Sequence, residues 1–148
     1  MRASMNTAKT AGFRVAIVVA LLATAGCFSD PRFKPTFRLT GRLLYDGQPA
    51  GGATVALVPI DPNAPPDPWV RARGIADDDG SFTVTTYRTG DGVPNGEYAI
   101  LAYWFPPGPV DATAVNKLPA RYSTLEGSPA RVVVNSAPVD VGTIVLTP

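Results

Sequence analysis

No histidine occurs in this chain of 148 residues, and cysteine occurs once, at Cys27. Each absence removes a class of chemistry. Without imidazole the chain lacks the commonest general base and the commonest metal ligand, so neither a Ser-His-Asp nor a Cys-His arrangement can be assembled. Zinc sites of the usual Cys/His types are excluded as well, and a lone cysteine closes no internal disulfide. Basic runs are also missing. Three of the 13 basic residues, Arg2, Lys9 and Arg14, precede Cys27, whereas all 12 acidic residues follow it, leaving a net charge of −2 beyond that point. No two basic residues are adjacent there, so the electrostatic footprint of a nucleic-acid binder is lacking. Helical periodicity is absent beyond Cys27 too. The expectation is an all-β chain that is not an enzyme, needs no cofactor and has no nucleic-acid partner.

What is present begins with a leader. Arg2, Lys9 and Arg14 form a basic region, Val15 to Ala25 is uncharged and aliphatic, and small residues stand immediately before Cys27. The apolar stretch is shorter than the roughly 20 residues that span a bilayer as a helix, which favours cleavage over retention. Ala25, Gly26 and Cys27 resemble the lipobox of bacterial lipoproteins. That resemblance implies cleavage before Cys27, lipidation (palmitate among the acyl groups) of its sulfur, and a membrane-anchored protein of the cell envelope facing the periplasm or the exterior. Residues 1–26 are then the signal peptide, 27–35 the acylated cysteine and its tether, and 36–148 the domain.

Within the domain, the stretch from Gly74 to Tyr87 is the clearest β signal. Asp79-Gly80 tolerates positive φ, and Asp77 or Asp78 is placed to fold its carboxylate back onto the following N–H groups, as tight turns require. Beyond it Phe82, Val84 and Thr86 alternate with Thr83, Thr85 and Tyr87, a period of two. This predicts a hairpin between a strand over Trp69 to Ala76 and one over Phe82 to Tyr87. Phe37 to Tyr45 reads as a half-buried strand ended by Asp46-Gly47 and Pro49, and Ala53 to Ile60 as a second, with Gly51-Gly52 before it allowing a bulge or close approach. Asp61 to Pro68, with four prolines, reads as a stiff loop. Glu97 to Phe105 is the expected central strand. Val110 to Pro129 lacks a period and reads as a long surface excursion, and loops of that length are where function tends to sit. Ala130 to Asn135 and Val139 to Thr147 complete seven strands, with a bulge expected at Gly142. The prediction is a seven-stranded antiparallel β-sandwich, transthyretin-like or Ig-like, behind a lipoprotein signal peptide.

Gly41, Leu43, Asp46-Gly47, Pro49, Gly52-Ala53, Val55, Leu57 and Pro59, followed by Asp77, Asp79-Gly80, Phe82, Gly96, Tyr98 and Ile100, resemble the carboxypeptidase regulatory-like domain. Leu118-Pro119-Ala120-Arg121-Tyr122 resembles a segment that such envelope proteins carry before their last two strands. The resemblance implies a transthyretin-like sandwich with a non-catalytic, structural or protein-interaction role.

Three candidate sites follow from residue chemistry. Asp77, Asp78 and Asp79 offer hard oxygen ligands for calcium, although no glutamate follows at EF-hand spacing and turn chemistry already accounts for the sequence. Tyr103 and Phe105 offer flat apolar faces for a polysaccharide ligand, with Trp104 turned to the core by alternation. A spontaneous amide crosslink would need Lys34 or Lys117, both outside the predicted strands, which argues against it. The partners expected are the membrane, through the lipid anchor, and an envelope protein or polysaccharide.

Overall fold

Alternating side chains decide which segments become strands and which face each strand buries. The computed structural model describes residues 30, 32–61, 63, 67, 70–107 and 114–148. The leader, Cys27, Trp69 and much of the proline-rich segment lie outside the described residues. Among the described residues there are ten strands: β1 (Thr36–Phe37), β2 (Leu39–Tyr45), β3 (Gln48–Pro49), β4 (Thr54–Pro59), β5 (Arg73–Ile75), β6 (Ser81–Thr83), β7 (Val93–Pro94), β8 (Gly96–Tyr103), β9 (Ala130–Val134) and β10 (Val139–Leu146). The count exceeds seven because the first expected strand divides at Arg38 and because the edge pieces β3 and β7 are too short for a period to register.

The chain is all-β. One four-stranded sheet has the order β5-β4-β8-β9; in the other, β2 pairs with β10 on one side and with both β3 and β6, while β1 and β7 form a separate two-stranded pair. As expected, β8 is central, flanked by β4 and β9. Leu39, Leu43, Phe82, Val84 and Leu146 from one side and Val55, Ile100 and Val134 from the other belong to a single apolar cluster. Each such side chain removed from water contributes about 1.5–3 kcal/mol. Among the described residues no polar or charged side chain is fully buried.

Two expectations require correction. The hairpin expected across Asp77 to Gly80 closes only at its ends. Its tip is held by Asp77 N–H donating to Ser81 O (2.7 Å), and its base by Arg73 and Thr85 exchanging backbone bonds of 3.0 and 2.8 Å. Between these points β5 pairs with β4 and β6 pairs with β2, so the turn is a corner joining the two sheets. The reason is that Ala72, Gly74 and Ala76 on one arm and Phe82 and Val84 on the other must all turn inward, from opposite sides of the core.

The second correction concerns strand direction: β10 runs parallel to β2, not antiparallel. Since β9 ends beside Gly96, at the end of the molecule where β2 begins, the residues 135–138 are too few to carry the chain to the opposite end. β10 therefore starts beside Leu39 and follows β2 upward. The bulge expected at Gly142 is present as a register shift between Asp140 and Thr143.

Registers also define two ends of the body. At one lie Leu39, Pro59, Tyr98 and the β1/β7 pair; at the other lie Tyr45, Thr54, Tyr103 and Ile75. The eight residues of β8 span about 24 Å between them.

Gly80 fixes the corner. Its φ is +84°, and a Cβ there would stand 2.5 Å from the carbonyl oxygen of Leu43, whose own N–H donates to Gly80 O at 2.8 Å. Gly47, in the two-residue β2–β3 turn, has φ +73° but nothing within 4 Å of the same position. Gly80→Ala should therefore cost about 3 kcal/mol in urea unfolding, against about 1 kcal/mol for Gly47→Ala, because only the former adds a backbone clash to the left-handed strain. Equal losses would show that the close approach to β2 is not what demands glycine.

Candidate functional site

The acidic turn and the aromatic group, 26 residues apart from Asp78 to Trp104, come to the same end of the fold. Chain reversal places them there: β5 runs up to Ala76 beside Gly52, and β8 runs up to Tyr103 beside Thr54. Asp77, Asp78 and Asp79 are exposed and line a shallow open depression with Gly52, Ala76 and Ser81. A Cβ on Gly52 would lie 3.9 Å from the indole nitrogen of Trp104, so that glycine separates the two groups.

Inside the turn the carboxylate that folds back is that of Asp79, not of Asp77 or Asp78. Its Oδ1 accepts from Ser81 N–H (2.8 Å) and from Ser81 Oγ (2.6 Å), while Asp77 contributes its main chain, accepting from Gly80 N–H at 2.8 Å. Those Ser81 bonds, opposed slightly by burial and helped by the positive charge of Arg42, hold the Asp79 carboxyl below its ordinary range. Arg42 Nε donates to the Asp79 carbonyl at 2.8 Å and pins the turn to β2. Among the described residues no group of three or more His, Cys, Asp or Glu side chains is arranged to hold a metal ion. For calcium to be bound, Asp79 would have to leave Ser81 and the three carboxylates would have to converge.

Tyr103 faces away from the core, Phe105 lies just past the strand, and all three aromatics are partly exposed. Trp104 packs against the core as expected, yet part of its ring stays at the surface. Tyr45 meets it edge-on, with ring centroids 6.2 Å apart and planes at 86°, and the Lys117 ammonium sits 4.8 Å from its centroid. The main chain of Trp104 is clipped on both sides: its N–H donates to Asn116 Oδ1 (2.8 Å), and its carbonyl accepts from Lys117 N–H (2.8 Å).

The region from Val110 to Pro129 is only partly an excursion, because its described part is tied to the body. Leu118 and Tyr122 are buried in the core, the latter from a 3-10 turn over Ala120–Ser123. Tyr122 Oη accepts from Thr147 N–H (2.9 Å) and Arg121 donates to Thr147 O (2.7 Å), which fastens the end of the chain. Hydrogen bonds from Thr147, then from Arg121, lower the Tyr122 hydroxyl below the usual phenol range. Sequence reasoning missed Asn116, Lys117 and Tyr45 as members of this surface. Each reaches Trp104 through chain reversal, and none carries a local motif. Neither lysine proposed for a crosslink is buried: Lys117 covers Trp104, and Lys34 pairs with Asp67 at 2.9 Å.

No protein-family model matches the chain, and no curated protein matches it. Solved structures similar to it include a DUF3823 family protein from Parabacteroides merdae, at 17% identity and TM-score 0.40, covering 78% of this chain and 48% of that one. A 9R-lipoxygenase from Cyanothece is similar at 15% identity and TM-score 0.39, over 76% of this chain and 16% of the lipoxygenase. A protein from Pseudomonas aeruginosa proposed to bind carbohydrate is similar at 18% identity and TM-score 0.39, over 78% of this chain and 90% of that one. The chain thus spans about half the length of the first. At these identities and TM-scores none of the three bears on what this chain does.

The Asp79–Ser81 contact predicts a pH dependence. A carboxyl whose folded value is depressed contributes stability above its unfolded value and loses it as pH falls through the folded one. Wild type should therefore lose melting temperature more steeply than Asp79→Ala below about pH 4, while a constant offset separates them at neutral pH. Parallel curves down to pH 2 would show that the carboxylate does not stabilise the turn.

Proposed function

We propose that this chain is a lipid-anchored, non-catalytic β-sandwich of the cell envelope, of the carboxypeptidase regulatory-like kind, that works by contact with another envelope component. The observation that carries the reading is the position of the only cysteine, at the end of an aliphatic leader and nine residues before β1. An acylated sulfur there holds a folded body close to a membrane, and two or more acyl chains suffice for stable attachment where one does not. A non-catalytic role is supported by the lack of histidine and by the absence, among the described residues, of any buried charged side chain. Catalytic acids and bases are commonly tuned toward neutral pH. Asp79 is moved the other way, and burial pushes the Tyr98 hydroxyl up to about 12.

A second reading is favoured by one observation, the meeting of Trp104, Tyr45 and the acidic turn at one end. Half-exposed aromatic rings beside carboxylate acceptors suit a polysaccharide ligand, and calcium is the alternative occupant of the turn. In this reading Trp104→Ala lowers glycan retention more than Tyr103→Ala or Phe105→Ala does, and titration with millimolar calcium gives measurable heat. No glycan retention and no heat leave protein contact as the reading.

The anchor itself is tested by fractionation. Cys27→Ser should move the full chain from the detergent phase to the aqueous phase, lowering the membrane-bound share at least about tenfold, and should abolish incorporation of labelled palmitate. A wild-type chain that incorporates no palmitate and is recovered in the medium overturns the proposal.

A further inference from the structure

We infer that the β1/β7 end of the domain is a membrane-contact surface, that a lipid bilayer is its partner, and that the acidic turn is consequently held away from the lipid. This rests on the proposed acylation of Cys27.

The tether does not hang free from the body. Phe33 packs its ring on Tyr87, with centroids 4.8 Å apart, and Lys34 reaches Asp67 across 2.9 Å. Directly afterwards Thr36 and Phe37 pair with Pro94 and Val93. These contacts fix the chain from Phe33 onward, at the end of the body where Pro59 and Tyr98 lie. Five residues separate Phe33 from Cys27, so the span between them is at most about 20 Å when fully extended. The body is longer, about 24 Å along β8 before its turns are added. Inverting the domain, so that the far end touches the bilayer, would lift Phe33 farther from the surface than the tether reaches.

Charge acts in the same direction. The far end carries three consecutive exposed aspartates, which anionic headgroups repel. The near end carries Lys34, Arg38 and Arg88 among the dispersed acids Asp61, Asp67, Asp91, Glu97 and Asp140, with no run of like charge, and Phe33 is 46% exposed there. An exposed aromatic ring next to basic side chains suits the headgroup region, where the ring inserts and the cations remain hydrated.

The test uses the full acylated chain in phosphatidylcholine vesicles containing phosphatidylglycerol. Because Cys27 is acylated, an introduced cysteine is the single free thiol. Thr89→Cys places a fluorescent label in the exposed loop beside Tyr87, and Gln48→Cys places one at the far end. A nitroxide on the lipid headgroup should quench the Thr89 label severalfold more than the Gln48 label. Removing both latch contacts, with Phe33→Ser and Lys34→Ser together, should bring that ratio toward one. Equal quenching in the otherwise unchanged chain, or stronger quenching at position 48, overturns the orientation. A ratio that survives the double substitution overturns the latch as its cause. Protein that does not float with the vesicles overturns the anchor and this inference together, an outcome distinct from the others.

Discussion

The corner between β5 and β6 is the constraint on which the rest of the architecture depends. Within the residues 76–80 the chain leaves one sheet and enters the other, and it does so with three contacts: Asp79 on Ser81, Asp77 O on Gly80 N–H, and Gly80 O on Leu43 N–H. The last of these presses the turn onto the middle of β2. Because Phe82 and Val84 follow the corner while Ala72 and Ala76 precede it, both sides of the apolar cluster are drawn together by one short connection. Glycine at position 80 is the geometric condition for that contact, since any side chain would strike the Leu43 carbonyl.

Among the described residues the buried side chains are apolar or tyrosine, so the charged groups lie at the surface, and the long strands sort those groups by height. β2, β4 and β8 run between the two ends, so residues distant in sequence meet wherever strands finish together. The acidic turn, Trp104, Tyr45 and Lys117 gather at one end for this reason. At the opposite end the segment before β1 is held by Phe33 on Tyr87 and Lys34 on Asp67, so the body has one extremity tied to the N-terminal segment. Loops supply the chemistry at both ends, while the strands set their separation.

The excursion after β8 performs structural work of a different kind. Asn116 and Lys117 bind the two backbone groups of Trp104, and Leu118 and Tyr122 enter the core, so the segment closes one end of the body before β9 begins. Tyr122 and Arg121 then fasten Thr147, which keeps β10 against β2 up to its last residue. A stretch without periodicity is thus part of the packing, because single side chains seal a sheet end without forming a regular element.

The chain's local chemistry alone made the buried faces of the longer strands legible: Leu39 and Leu43, Val55 and Leu57, Phe82 and Val84, and Tyr98 and Ile100 stand out because alternation with a period of two is written within a few residues. The bulge at Gly142 and the turn at Asp46-Gly47 are equally local, since each needs only a residue that tolerates positive φ. Which strand pairs with which was not legible. The splitting of the arms around Asp77 to Gly80, the parallel course of β10 and the clip of Asn116 on Trp104 depend on where distant segments lie, and the hydrophobic pattern that brings them together is non-directional. The candidate site divides in the same way. Its residue types are visible along the chain, but the meeting of Asp77, Asp78 and Asp79 with Trp104 was decided by tertiary packing, because strand direction, not sequence distance, determines which ends coincide.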